Sequence, residues 1–209
     1  MTTLLLASAS PARAALLRAA GVEPQIQPAD VDEEAILAEA APAAGGPALP
    51  VGQAVQILAR AKAEKVAAAN PGTDLVLGCD SLLELDGQGL GKPGSAQAAR
   101  QRWAQMRGRA GVLHTGHWVI SADGRATGRP SATTVHFAEI SDAEIEAYIA
   151  TGEPLNVAGA FTIDGRGGAF VRRIEGDHQT VVGLSLALLR ELVAELGVCW
   201  PQLWTTTPA

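Results

Sequence analysis

Apolar positions in this chain fall either into short unbroken runs or into three-four spacings, and the two patterns alternate. Leu4-Leu5-Leu6-Ala7 is a short apolar run ending at Ser8-Ala9-Ser10, and it predicts a buried strand followed by a tight turn. Pro11 to Ala20 then predicts a helix with Leu16, Leu17 and Ala20 inward, Ser10 as N-cap, Pro11 at the first helical position and Gly21 as its stop. Val22 to Pro28 alternates weakly; Pro24 and Pro28 suit only an edge strand. Gln53 to Ala69 carries Val55, Leu58, Ala59, Lys62 and Val66 at helical spacing, ending at Asn70-Pro71-Gly72. Leu75 to Cys79 is a second buried strand running into Asp80-Ser81, with Leu82 to Leu85 continuing as strand.

The second half repeats the alternation. Asp86-Gly87 signals a hairpin. Ser95 caps a helix to about Met106, stopped by Arg107-Gly108-Arg109. Val112–Ile120 and Ser131–Ala138 predict strands joined by a turn-rich link, and Ser141 to Glu144 is a capping box for a helix ending near Gly152. Phe161 to Val171 is a glycine-rich excursion, and Gly183 to Leu196 a last amphipathic helix. Ala40 to Gly52 is expected to be a flexible surface loop and Trp200 to Ala209 a loose tail. No repeat or linker divides the chain, so the expected organisation is one α/β domain over residues 1–199 plus a tail over 200–209.

Composition narrows the function. The chain has 209 residues and a net charge of −6, which disfavours a nucleic-acid binder because phosphate backbones need a basic face. Cys79 and Cys199 form no disulfide framework and read as reduced thiols. No secretory signal is visible and no apolar run approaches the ~18 residues of a bilayer span, so the expectation is a soluble, cytoplasmic protein without a membrane partner. The sequence leaves the oligomeric state open, a homodimer being the common default.

Five charged residues stand where charge needs a reason. The helix start after Ser8-Ala9-Ser10 offers free N–H groups to an anion, and Arg13 in its first turn opposes the helix dipole unless an anion is present. Asp30-Val31-Asp32-Glu33-Glu34 suits a solvated helix N-terminus or a divalent cation site. Lys62 lies on the shoulder of an apolar helix face, where it either snorkels or meets a ligand. Asp80 is expected at the C-terminal end of a buried strand, where ligands bind in α/β proteins, and Lys92 follows Gly91. Three cations and two acids suit a polyphosphate with a divalent metal, one carboxylate being able to take a proton from water. No P-loop, zinc-ligand spacing or serine-hydrolase elbow is present.

At these residues the sequence resembles a known family. Ser8-Ala9-Ser10-Pro11-Ala12-Arg13 is similar to the opening signature of the Maf family of nucleoside triphosphate pyrophosphatases. The resemblance continues in order through Val31-Asp32-Glu33, Ala61-Lys62-Ala63, Gly78-Cys79-Asp80-Ser81 and Leu90-Gly91-Lys92-Pro93. It resumes at His114-Thr115-Gly116, Ala158-Gly159-Ala160-Phe161 and Val181-Val182-Gly183-Leu184. It implies a mixed α/β fold, Maf/Ham1-like, with an elongated, curved mixed sheet flanked by helices and two lobes around a central cleft. It also implies hydrolysis of a nucleoside triphosphate to monophosphate and pyrophosphate with Mg²⁺ or Mn²⁺. In that resemblance Asp80 and Glu33 are the catalytic and metal-holding acids, and Ser8, Arg13, Lys62 and Lys92 the phosphate-binding residues. Ala12, Ser81 and Asp164 fall at base-selecting positions; their combination fits neither the dTTP/UTP form nor the 7-methyl-GTP form of the family. The expected activity is house-cleaning of a modified or pyrimidine nucleotide. The alternative is a nucleotide-binding regulator of cell division or septum formation with little turnover.

Overall fold

A computed structural model describes residues 2–41 and 49–205. In chain order the elements are β1 (Leu4–Leu6), α1 (Pro11–Ala19), β2 (Gln25–Ile26), α2 (Glu33–Ala40), α3 (Val51–Ala69), β3 (Leu75–Leu85), β4 (Gln88–Leu90) and α4 (Ala96–Met106). They continue with β5 (Ala110–Ser121), β6 (Ala126–Thr127), β7 (Pro130–Phe137), α5 (Asp142–Ala150), β8 (Val171–Glu175), α6 (His178–Val182) and α7 (Leu186–Glu195). The sheet is mixed, in the order β2-β1-β3-β5-β7-β8, with β4 on β3 and β6 on β5. β1 is parallel to β2 and β3, whereas β3–β4, β5–β6 and β7–β8 are antiparallel. The proline-flanked β2 ends the sheet, as an edge strand should.

The chain separates into two compact units, one of residues 1–80, 115–131 and 183–209, the other of 81–114 and 132–182; β3, β5 and β7 contribute to both. In the first unit Leu4, Leu6, Leu75 and Leu77 pack with Leu17 of α1 and Leu189, Leu192 and Val193 of α7. The opposite face of the same strands takes α3 through Leu5, Ala7, Ala63, Val66 and Val76. In the second unit the core surrounds Trp103, which is fully buried and meets Phe137, Tyr148 and Phe170 edge-on at 5.6–5.8 Å. Its indole N–H is satisfied by Ala160 O at 2.9 Å.

Three expectations need correction. Trp200–Leu203 is a 3₁₀ turn rather than loose chain: Leu203 is buried in the first core and Thr205 N–H donates to Gly21 O at 2.8 Å. An apolar side chain after Pro201 is enough to tie this segment down, and 206–209 lie outside the described residues. Of the loop expected over Ala40–Gly52, residues 42–48 also lie outside them, while Val51 and Gly52 already belong to α3. β8 and α6 carry no clear periodicity and are additions; Arg172-Arg173 breaks the alternation that would mark a strand. No helix among the described residues is long and apolar enough to cross a membrane.

α3 sits unusually close to the sheet at two glycines. A Cβ on Gly78 would lie 2.1 Å from Ala59 O and 2.8 Å from Ala63 N, and one on Gly116 would lie 2.2 Å from Val55 O. Gln56 completes the docking: its Nε2 donates to His117 O at 2.9 Å and its Oε1 accepts from His117 N–H at 3.3 Å. Because the opposing atoms at Gly78 are backbone, Gly78→Ala is expected to destabilise by at least the ~1–3 kcal/mol typical of overpacking, read as a lower thermal midpoint.

Candidate active site

Asp80 does not end its strand, as the sequence suggested; β3 runs on to Leu85 and Asp80 sits at its middle. On this strand Cys79 faces the core shared by α1 and α7. Asp80 faces α3, where Lys62 Nζ donates to its Oδ1 at 2.6 Å. The same ammonium is 2.6 Å from Glu33 Oε1, at the first position of α2. Asp32 caps that helix through Ala35 N–H, so the acidic run is both a helix start and the source of the acid that pairs with Lys62. The side chains of Lys62 and Asp80 are each 12% exposed and that of Glu33 is 50%. Lys62 therefore does not snorkel; it bridges one buried and one exposed carboxylate.

Arg13 brings the opening motif to the same place. Its Nε donates to Gly183 O at 2.7 Å, and one terminal nitrogen donates to Ser8 Oγ at 2.9 Å and Cys79 O at 3.0 Å. These contacts give a reason for a cation in the first turn of α1 that does not require an anion. Ser8 Oγ also accepts from Ser10 N–H at 3.2 Å, and Ser10 caps α1 through Arg13 N–H. His117, passed over in the sequence, fixes the far anchor: its buried Nε2 accepts from Ser185 N–H at 2.9 Å, two residues past Gly183. Nothing in the spacing of His117 marks this role.

Burial dominates the electrostatics of Asp80. Loss of solvation raises its pKa above the ordinary carboxylate range; Lys62 and Arg13 pull it back down without cancelling that rise. Among the described residues no hydrogen bond reaches Asp80 Oδ2, so a raised carboxylate presents one oxygen able to take a proton. Cys79 is also pushed up by burial, to about 11, so its thiol is neutral and no nucleophile. Glu33 and Asp80 are two hard oxygen donors, and no group of three or more potential metal ligands gathers among the described residues. Two carboxylates are what Mg²⁺ commonly takes from a protein when a phosphate ligand supplies the rest, so the donor set fits such an ion.

The remaining candidates divide between the units. Ala12, half-buried, precedes Arg13 on α1. Ser81 follows Asp80 on β3 but belongs to the second unit, as do Lys92 and Asp164, both exposed. Arg102 of α4, also passed over, donates to Gly91 O and lies 3.5 Å from Lys92 O. Gly91 O accepts from Gly159 N–H as well, at 3.1 Å. Asp164 rides on a loop clamped by Glu153, whose carboxylate accepts from Tyr148 Oη at 2.8 Å, Gly167 N–H at 3.0 Å, Arg166 N–H at 3.1 Å and Thr162 Oγ1.

The fold and the cluster define a mixed α/β protein with a buried aspartate of raised pKa among cations. The family model described as Maf-like protein matches residues 3–196, and the chain belongs to the Maf family. It is similar to a protein of Leifsonia xyli subsp. xyli named nucleoside triphosphate pyrophosphatase, 54% identical over 96% of each chain. A protein of Nocardia farcinica with the same name is 52% identical over 97% of each chain. Among solved structures, the Ham1 protein of Staphylococcus aureus aligns at 12% identity with a TM-score of 0.49, covering 93% of this chain and 100% of that one.

Two measurements check these contacts. Arg102→Met is expected to speed hydrogen exchange at the Gly159 amide, because the segment carrying its acceptor, the Gly91 carbonyl, loses the guanidinium that anchors it. Burial opposes the ionised form of Glu153, but its four hydrogen bonds outweigh this and hold its pKa near 2, against 4.5 ordinarily. Its contribution to stability is thus present above pH 4.5 and lost as pH falls towards 2. The melting-temperature gap between wild type and Glu153→Gln should close across that window.

Proposed function

We propose that this chain hydrolyses a nucleoside triphosphate between its α and β phosphates, releasing the monophosphate and pyrophosphate. The observation that carries this reading is Asp80 itself: a buried carboxylate of raised pKa, gripped at one oxygen and open at the other, among Lys62, Arg13 and Ser8. Two relatives of about half-identical sequence that bear the name nucleoside triphosphate pyrophosphatase support it.

Asp80 Oδ2 takes a proton from a water molecule as that water attacks one of the phosphorus atoms flanking the α–β bridge. Lys62 holds Oδ1 and so fixes the carboxylate's aim, while its charge, with that of Arg13, offsets the phosphate oxygens. Ser8 and the N–H groups at the start of α1 bind a phosphate edge. Glu33 and Asp80 would hold a Mg²⁺ or Mn²⁺ ion, which when bound neutralises charge on the departing pyrophosphate. The nucleotide, on the family resemblance, is a modified or pyrimidine one. The role that follows is removal of non-standard nucleotides in the cytoplasm.

Asp80→Asn is expected to lower pyrophosphate release by about 10²–10⁴-fold, the usual worth of a positioned base. Coupled detection with inorganic pyrophosphatase over a panel of ordinary and modified triphosphates measures it, and wild-type turnover by the variant would remove Asp80 from its role. Since the base must be ionised, kcat/KM should fall as pH drops through its raised pKa. Lys62→Met removes the largest influence holding that pKa down, so the acidic limb should move to higher pH.

A further inference from the structure

The second unit contains a groove of about 430 Å³ that the reaction above does not use. Seven residues line it, four of them Arg109, His136, Arg172 and Arg173, and none is acidic. A chain with 16 Lys and Arg and four His in 209 residues, and a net charge of −6, gains no such collection by composition.

The local backbone explains how the charges converge. β8 pairs with β7 so that Phe137 stands opposite Val171 and His136 opposite Arg173, with a register shift between His136 and Phe137. Arg172 is the extra residue of that bulge. In a regular strand consecutive side chains point to opposite faces; here Arg172 and Arg173 both line one groove. Opposite them, β5 begins at Ala110, and Arg109 just before it accepts Phe137 N–H on its carbonyl at 2.8 Å, which places Arg109 at the same groove.

Flanking acids hold some of these groups in place: Asp86 and Glu175 each take one arginine and Glu139 lies against Gly108, so a ligand would compete for those two arginines and meet Arg172 directly. Glu175 Oε1 bonds His136 Nε2 at 2.9 Å and also takes Arg173, and a terminal nitrogen of Arg173 is 3.3 Å from His136 Nε2. Arg109 reaches Asp86 at 2.6 Å. Arg172 makes no ion pair among the described residues. Charges on β8, the last strand of the sheet, could serve only to discourage edge pairing. That purpose would be met by either sign, and does not account for Arg109, which is not on that strand.

We propose that this groove is a second anion site, separate from the Asp80 cluster, that binds an oligophosphate. The ligand is either free inorganic pyrophosphate or the polyphosphate tail of a nucleotide. Guanidinium forks match phosphate oxygens two at a time, and three of them around an open groove favour a linked phosphate chain over a single carboxylate. The site stands whether or not Asp80 performs the hydrolysis proposed above.

Amide NMR on the full chain tests it, with sodium pyrophosphate and a non-hydrolysable α,β-methylene nucleoside triphosphate as probes and sulfate at matched ionic strength as control. Saturable shifts are expected at Arg109, His136 and Arg173. Response to pyrophosphate identifies free oligophosphate as sufficient, and response to the nucleotide analogue alone identifies the nucleotide tail. Arg172→Ala/Arg173→Ala should abolish the groove shifts while leaving those at Ser10 to Arg13, and kcat and KM at low substrate, unchanged. Arg172→Lys/Arg173→Lys, which keeps charge but loses the forks, should weaken groove binding several-fold. The proposal is overturned if neither probe gives saturable groove shifts, if sulfate reproduces them, or if they persist in the double alanine variant. Loss of shifts at Ser10 to Arg13 alone would count against the catalytic reading and leave this one intact.

Discussion

The close seating of α3 on β3 at Gly78 is the constraint from which the cluster of Lys62, Asp80 and Glu33 follows. With Ala59 O where a Cβ would be, no other residue permits the helix to come so near. At that separation Lys62, three positions after Ala59, can span to Asp80, two positions after Gly78, and still bond Glu33. A helix displaced by the width of a methyl group would leave Asp80 buried without its cation, an arrangement that costs several kcal/mol. Gly116 and Gln56 repeat the device near the start of the helix, so α3 is seated both at the turn that carries Lys62 and near its N-terminal end.

Neighbouring positions on β3 show how one physical effect gives two outcomes. Burial raises the pKa of both Cys79 and Asp80. For a thiol that shift removes reactivity, because the thiolate is the reactive form and Cys79 stays protonated in its apolar core. For a carboxylate whose ordinary pKa lies far below neutrality, the same shift improves it as a base. Lys62 and Arg13 pull both pKa values back, but alternation along the strand turns only Asp80 towards α3, where it takes the Lys62 hydrogen bond.

Much of this was legible in the sequence, for identifiable reasons. Ser10, Pro11 and Gly21 bound α1 because capping is local chemistry, and Ser141 to Glu144 form the expected capping box. Arg13, Lys62 and Asp80 stood out because each is a charge in a place that disfavours it, and Glu33 because it falls in an acidic run at a helix start. What could not be read depends on contacts distant in the chain. The carbonyls of Gly183 and Cys79 that hold Arg13 are 170 and 66 residues away, and His117 meets the Ser185 amide 68 residues on. Arg102 and Glu153 escaped notice because one arginine on a helix and one glutamate before a proline are ordinary until their partners are known. β8 was hidden by its own bulge, since an extra residue destroys the two-residue period by which strands are recognised.

The unequal exposure of the two acids on Lys62 bears on how a triphosphate could enter. An exposed ion pair contributes about 0–1 kcal/mol, whereas removing one partner of a buried pair costs about 3–5 kcal/mol. Glu33 is half exposed and Asp80 nearly enclosed, so the first contact is inexpensive to exchange and the second is not. Under the proposed reaction, an arriving phosphate competes with Glu33 for Lys62 while Asp80 keeps its hold and its aim. The freed Glu33 carboxylate then sits beside the phosphate with its charge uncompensated, which is the situation a divalent cation relieves. Lys62 thus serves as the resident counter-ion of both acids before substrate arrives, and Asp80 can remain buried through the exchange.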